Sequence, residues 1–98
     1  MEVDFDDPSL ADLERDPRST AGHGDAVDRG FRKVMQIVRA APDERDLYAL
    51  KDLHFEKLEG NRSHQRSLKI NKQWRLVVEL RKGEKSTRVG VISIEDYH

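Results

Sequence analysis

The chain has 98 residues, no cysteine and a formal net charge of −1, which excludes a disulfide-stapled scaffold, a thiolate zinc site and a second independent core. It carries no apolar run long enough to cross a membrane and no signal-peptide pattern at its start, and the absence of thiols fits a reducing, cytoplasmic setting. The near-neutral total hides a split: residues 1–28 hold nine acids against Arg15 and Arg18, a net −7, whereas residues 57–88 hold ten bases against Glu59, Glu79 and Glu84, a net +7. That basic half suits either a polyanionic ligand or an ordinary solvated sheet surface, and charge alone leaves both open.

In chain order, Met1, Val3 and Phe5 alternate with acids and predict a short first strand. Asp7 and Pro8 are suited to the cap and first position of a helix that buries Leu10 and Leu13, with Pro17 bounding it. Residues 19–24 read as a linker with glycines on either side of His23. The main helix is expected from Asp25 to Ala41, with Val27, Phe31, Val34 and Val38 as its buried stripe and Pro42 as its stop. One more turn is expected between Asp43 and Leu50.

After Leu53 the apolar period changes to two. Leu68 and Ile70, then Trp74, Leu76, Val78 and Leu80, alternate with polar or second-face residues. Residues 81–84 predict a hairpin turn with Gly83 available for positive φ. Arg88 to Glu95 reads as a central strand. A strand, two helices and then an antiparallel meander make one α+β domain over residues 1–98, with helices on one face of a curved, mostly antiparallel sheet.

Candidate chemistry gathers at the carboxy end. In a regular strand Asp96 and His98 share a face, and a carboxylate beside an imidazole favours its charged form and fixes its tautomer. Tyr97 then points the other way, unless the tail twists and brings it into the site as a stacking surface. His54 stands just before the basic stretch. Arg75 is expected to project from the open face of the sheet, where a guanidinium fork can hold a phosphate; the alternative is an ion pair with Glu79 or Glu95. Lys57, Arg62, Arg66 and Lys69 are candidates to line a backbone-binding groove. His54, Asp96 and His98 lack a recognisable metal-ligand spacing, so no metal site is expected.

The stretch Leu53-His54, Leu58-Glu59-Gly60-Asn61-Arg62, then Ile70-Asn71-Lys72-Gln73-Trp74-Arg75, then Glu95-Asp96-Tyr97-His98, resembles the HigB, or killer-protein, branch of the RelE-type bacterial toxins. The resemblance is close over residues 53–98 and one of layout elsewhere. It implies a compact RelE-like fold and a ribonuclease that needs no metal or other cofactor. Such an enzyme cuts mRNA in the ribosomal 30S A site and is neutralised by a cognate helix-turn-helix (HigA-like) antitoxin. Carried onto this sequence, the implied catalytic residues are His54, Arg75, Asp96, Tyr97 and His98, with Lys57, Arg62, Arg66, Lys69 and Lys72 on RNA phosphates. Glu59 departs from the family, which usually has a lysine there, and Lys57 is expected to supply that charge. The reading from a different class is a non-catalytic, degenerate toxin that binds antitoxin or RNA and tunes repression of its operon.

Overall fold

The computed structural model of the chain describes residues 1–97; His98, expected at the site, lies outside the described residues. The chain opens with strand β1 (Val3–Phe5), followed by helices α1 (Pro8–Arg15), α2 (Asp25–Ala40) and α3 (Glu44–Ala49) and a 3₁₀ turn at Lys51–Leu53. Strand β2 (Glu56–Lys57), a second 3₁₀ turn at Gly60–Arg62, and strands β3 (Gln65–Lys69), β4 (Trp74–Lys82) and β5 (Thr87–Asp96) complete it. The expected layout is therefore present, with a third short helix where one turn was anticipated.

Local chemistry explains the helix ends. The Asp7 carboxylate accepts from the Ser9 backbone N–H at 2.9 Å and Pro8 occupies the first turn of α1. Asp43 and Asp46 form a reciprocal capping box on α3. At the other end of α1, the Arg32 guanidinium donates to the carbonyls of Leu13, Asp16 and Ser19 at 2.9–3.1 Å, satisfying orphan acceptors and fastening α1 to α2. Asp28, buried within α2, accepts from the Ala21 N–H at 3.2 Å and so holds the linker down.

The sheet runs β1-β5-β4-β3-β2, antiparallel except for the β1–β5 pair, which is parallel. β5 is internal, as its apolar run suggests. Its hairpin with β4 closes through a hydrogen bond from Gly83 N–H to Ser86 C=O of 2.9 Å, without the positive φ expected of Gly83. The helices cover one face: Phe31, Met35 and Val38 of α2, Leu10 and Leu13 of α1, and Leu47 of α3 pack on Leu68, Leu76, Val78, Val89 and Val91. Gly30 lets α2 approach β3 closely, since a Cβ there would stand 2.7 Å from Ile70 Cγ2.

One irregularity decides which residues share the open face. The β4–β5 register runs Leu76↔Ile94 and Val77↔Ser93 but then Val78↔Val91, so Ile92 is an extra residue. The bulge exchanges the faces of everything after it. Ile94 rejoins the helix side, while Ser93 and Glu95 turn to the open side with Val77 and Arg75.

Candidate active site

Arg75 lies on the open face near the start of β4, but it does not project from that face as expected: only 7% of it is exposed. Its Nη2 donates to the His54 carbonyl at 2.6 Å and to Ser67 Oγ at 3.0 Å. The Tyr97 ring covers the guanidinium, with 4.7 Å from Cζ to the ring centroid. Nε, also buried, has no hydrogen-bond partner among the described residues. Neither Glu79 nor Glu95 is paired with Arg75: these carboxylates are held by Arg81 and Arg62. Among the described residues, then, this buried cation is bonded only to neutral acceptors and its Nε–H is unused, where a burial of this kind normally requires an anion.

His54 reaches Arg75 through its backbone. The residue sits at φ 48°, ψ 52°, a left-handed conformation uncommon outside glycine, and that twist turns its carbonyl to the guanidinium. Its imidazole is about half exposed, with Nδ1 3.8 Å from Glu56 Oε1. Tyr97, 54% exposed, joins the site because the strand twists and the bulge has shifted the parity. Asp96 goes the other way. It pairs in register with Trp74, on the helix side, and accepts from Gln73 Nε2 at 3.0 Å. The carboxylate beside Arg75 in the ladder is Glu95, which accepts a bidentate pair from Arg62 at 2.8 and 3.0 Å and a bond from Ser93 Oγ at 2.6 Å. The Arg62 bonds hold the Glu95 carboxyl below its ordinary range.

The five expected RNA contacts are dispersed. Lys69 pairs in register with Arg75 and shares its face. Arg66 pairs with Val78, and Lys57 with Arg66, which puts both on the helix side, where Arg66 Nε donates to Tyr48 Oη at 3.0 Å. Lys72 is exposed in the β3–β4 turn, and Arg62 is occupied by Glu95. Trp74 is stacked by the linker's His23, with ring centroids 4.3 Å apart.

The basic half is also less basic in space than in sequence. The acidic first strand lies beside β5 and its side chains reach across the sheet. Arg88 pairs with Glu2 and Asp4, and Arg81 bonds Asp6 at 2.8 Å and Glu79 at 3.0 Å. Arg81 can cross because position 90 is glycine: a Cβ there would sit 2.3 Å from the Arg81 Cζ. These bonds raise the Arg81 and Arg88 pKa values and lower those of Asp6 and Asp4. Every ion pair among the described residues uses an arginine or a histidine and none uses a lysine. Ser67 was missed by sequence reasoning, since only the register reveals that it flanks Arg75; Glu95, considered there as an ion-pair partner of Arg75, stands beside it but is bonded to Arg62.

A family model described as "RelE-like toxin of type II toxin-antitoxin system HigB" matches residues 4–91. The chain belongs to the HigB-like toxins of type II toxin–antitoxin systems. The match stops short of Asp96 and Tyr97, so it says nothing of the carboxy-terminal part of the site. Among solved structures, a "YoeB/ParE toxin from Agrobacterium tumefaciens" superposes with a TM-score of 0.58 at 19% identity, covering 100% of both chains; this likeness shows the fold alone. No curated protein matches the sequence. For this HigB-like toxin, no three potential ligands among His, Asp and Glu gather at one point among the described residues, and no described helix is long and apolar enough to cross a membrane.

Proposed function

We propose that this toxin is an endoribonuclease that cuts mRNA in the ribosomal A site, with the scissile phosphate bound at Arg75. The observation that carries the reading is Arg75 itself: a buried guanidinium with no anionic partner among the described residues, an unbonded Nε–H, and an aromatic ring lying over it. Membership of the RelE-like toxins, which are generally endoribonucleases, supports it.

In the reaction, the ribose 2′-oxygen attacks the adjacent phosphorus and forms a P–O bond as the bond to the 5′-oxygen breaks. A base takes the 2′-OH proton, an acid protonates the leaving 5′-oxygen, and a 2′,3′-cyclic phosphate and a 5′-hydroxyl result. Arg75 stabilises the charge that builds on the equatorial oxygens. His54, half exposed on the twisted turn beside it, carries a proton, with His98 as the second candidate. Tyr97 yields its place over Arg75 to the phosphate and stacks on a base. Asp96, fixed by Gln73, orients the end of the chain rather than facing the phosphate. Lys69 and Lys72 hold flanking phosphates, with Lys57 and Arg66 farther along the sheet edge.

Cleavage on programmed ribosomes tests the assignment. Arg75→Ala is expected to lose roughly 10²–10³-fold in rate, and His54→Ala roughly 10²–10⁴-fold. An unimpaired rate in Arg75→Ala would end it. Absence of growth arrest on expression of the wild-type toxin, with antitoxin binding kept, would favour the degenerate, non-catalytic reading instead.

A further inference from the structure

Beside the Lys51–Leu53 turn, α2, the end of α3 and the end of β3 line a groove of about 450 Å³. Its floor is aliphatic, formed by Val34 and Ile37 of α2, Leu53 and Ile70, with Leu50 at the lip. Leu50 is 46% exposed, one of the few large apolar side chains left to solvent. Around the opening stand Lys33, Lys51 and Lys69 against a single acid, Asp52. The three lysines make no ion pair within the described residues, in contrast to the arginines of the open face.

We propose that this groove is where the antitoxin docks, through an amphipathic segment that sets aliphatic anchors into the floor and acidic side chains against the lysines. The proposal rests on the toxin reading for the existence of the partner, and on the groove for its chemistry. Charge complementarity selects an acidic partner. The floor then selects protein over RNA. Single-stranded RNA is held by stacking on aromatic rings, and no aromatic side chain lines the groove, whereas an i, i+3/i+4 row of aliphatic side chains fits such a floor. Because the Lys51–Leu53 turn forms one wall and leads directly into His54, a segment lying there would press on the turn whose carbonyl receives Arg75.

The test measures affinity by titration calorimetry, using the full-length toxin and the recombinant antitoxin encoded beside it. Leu50→Glu and the double variant Lys33→Glu/Lys51→Glu are compared with Lys82→Glu/Lys85→Glu, which makes the same charge change at the β4–β5 turn. Circular dichroism checks that each variant is folded, and Leu50→Glu alters a side chain already half exposed. The groove variants are expected to lose roughly tenfold or more in affinity, and the turn variant about twofold or less. Wild-type affinity in both groove variants overturns the docking site and leaves the toxin reading intact. Equal loss in groove and turn variants overturns it in favour of unspecific attraction. A failure of the wild-type toxin to bind the antitoxin removes both. In a parallel titration with a 20-nucleotide oligouridine, a loss confined to the groove variants would assign the groove to RNA and overturn the proposal.

Discussion

At Arg75 the balance between stability and function can be read from its partners. A buried guanidinium bonded to a carbonyl and a hydroxyl has lost much of its hydration without gaining an opposite charge among the described residues. Its replacement by an apolar side chain of similar length therefore relieves a desolvation cost. Arg75→Met is expected to keep the thermal midpoint of the wild type or exceed it while losing cleavage, with stability changed by no more than about 1 kcal/mol. A collapse in stability measured by thermal unfolding would mean that Arg75 is a structural clamp. His54 offers a second reading of the same kind. Since its φ of 48° is strained for a residue with a Cβ, His54→Gly is expected to be more stable than His54→Ala by about 1 kcal/mol in denaturant titration.

Among the elements, the parts that announced themselves were those with a repeating pattern or a cap. The Val27-Phe31-Val34-Val38 stripe, the Asp7-Pro8 opening and the period of two through Leu76 and Val78 were readable because each is a local rule. The bulge at Ile92 was not. An extra residue inside an uninterrupted apolar run leaves no mark in composition, and only the cross-strand register exposes it. That single residue is why Glu95 rather than Ile94 is opposite Arg75, and why Glu95 rather than Asp96 shares its face. Likewise the +7 of residues 57–88 was legible as a count but not as a field, because several of its neutralising acids lie far off in the chain, Glu2 and Asp4 more than eighty residues from Arg88. Close approach of elements gives a further expectation. Gly30→Ala gains about 1 kcal/mol of helix propensity. It also forces α2 off Ile70 at a cost of about 1–3 kcal/mol, so net destabilisation is expected in urea unfolding.

Over the whole molecule, the ion pairs across the sheet predict how stability depends on pH. Arg88, Arg81 and Arg62 donate to Asp4, Asp6 and Glu95 and hold these carboxyls below their ordinary values of 3.8, 3.8 and 4.5. The unfolded chain therefore binds more protons than the folded one in the acid range, so stability rises with pH there. The contribution is fully present above those ordinary values and is lost as pH falls through the lower, folded ones. Thermal midpoints are expected to fall between about pH 5 and about pH 3, and Asp4→Asn/Asp6→Asn to flatten that slope. Because the pairs are solvent-exposed, added salt is expected to weaken them and shallow the slope in the wild type as well.

The parallel seam between β1 and β5 bears on how the toxin is made. Val3 finds its neighbour at Val89, so the earliest strand to leave the ribosome waits for almost the last. A nascent chain halted before residue 87 has no β5, no partner for one edge of β4, and no Tyr97 over its arginine. Limited proteolysis of chains stalled at successive lengths should find them protease-sensitive until β5 has emerged. The arginine that the two ends of the sheet enclose is therefore without its surroundings until β5 has paired with β1 and β4.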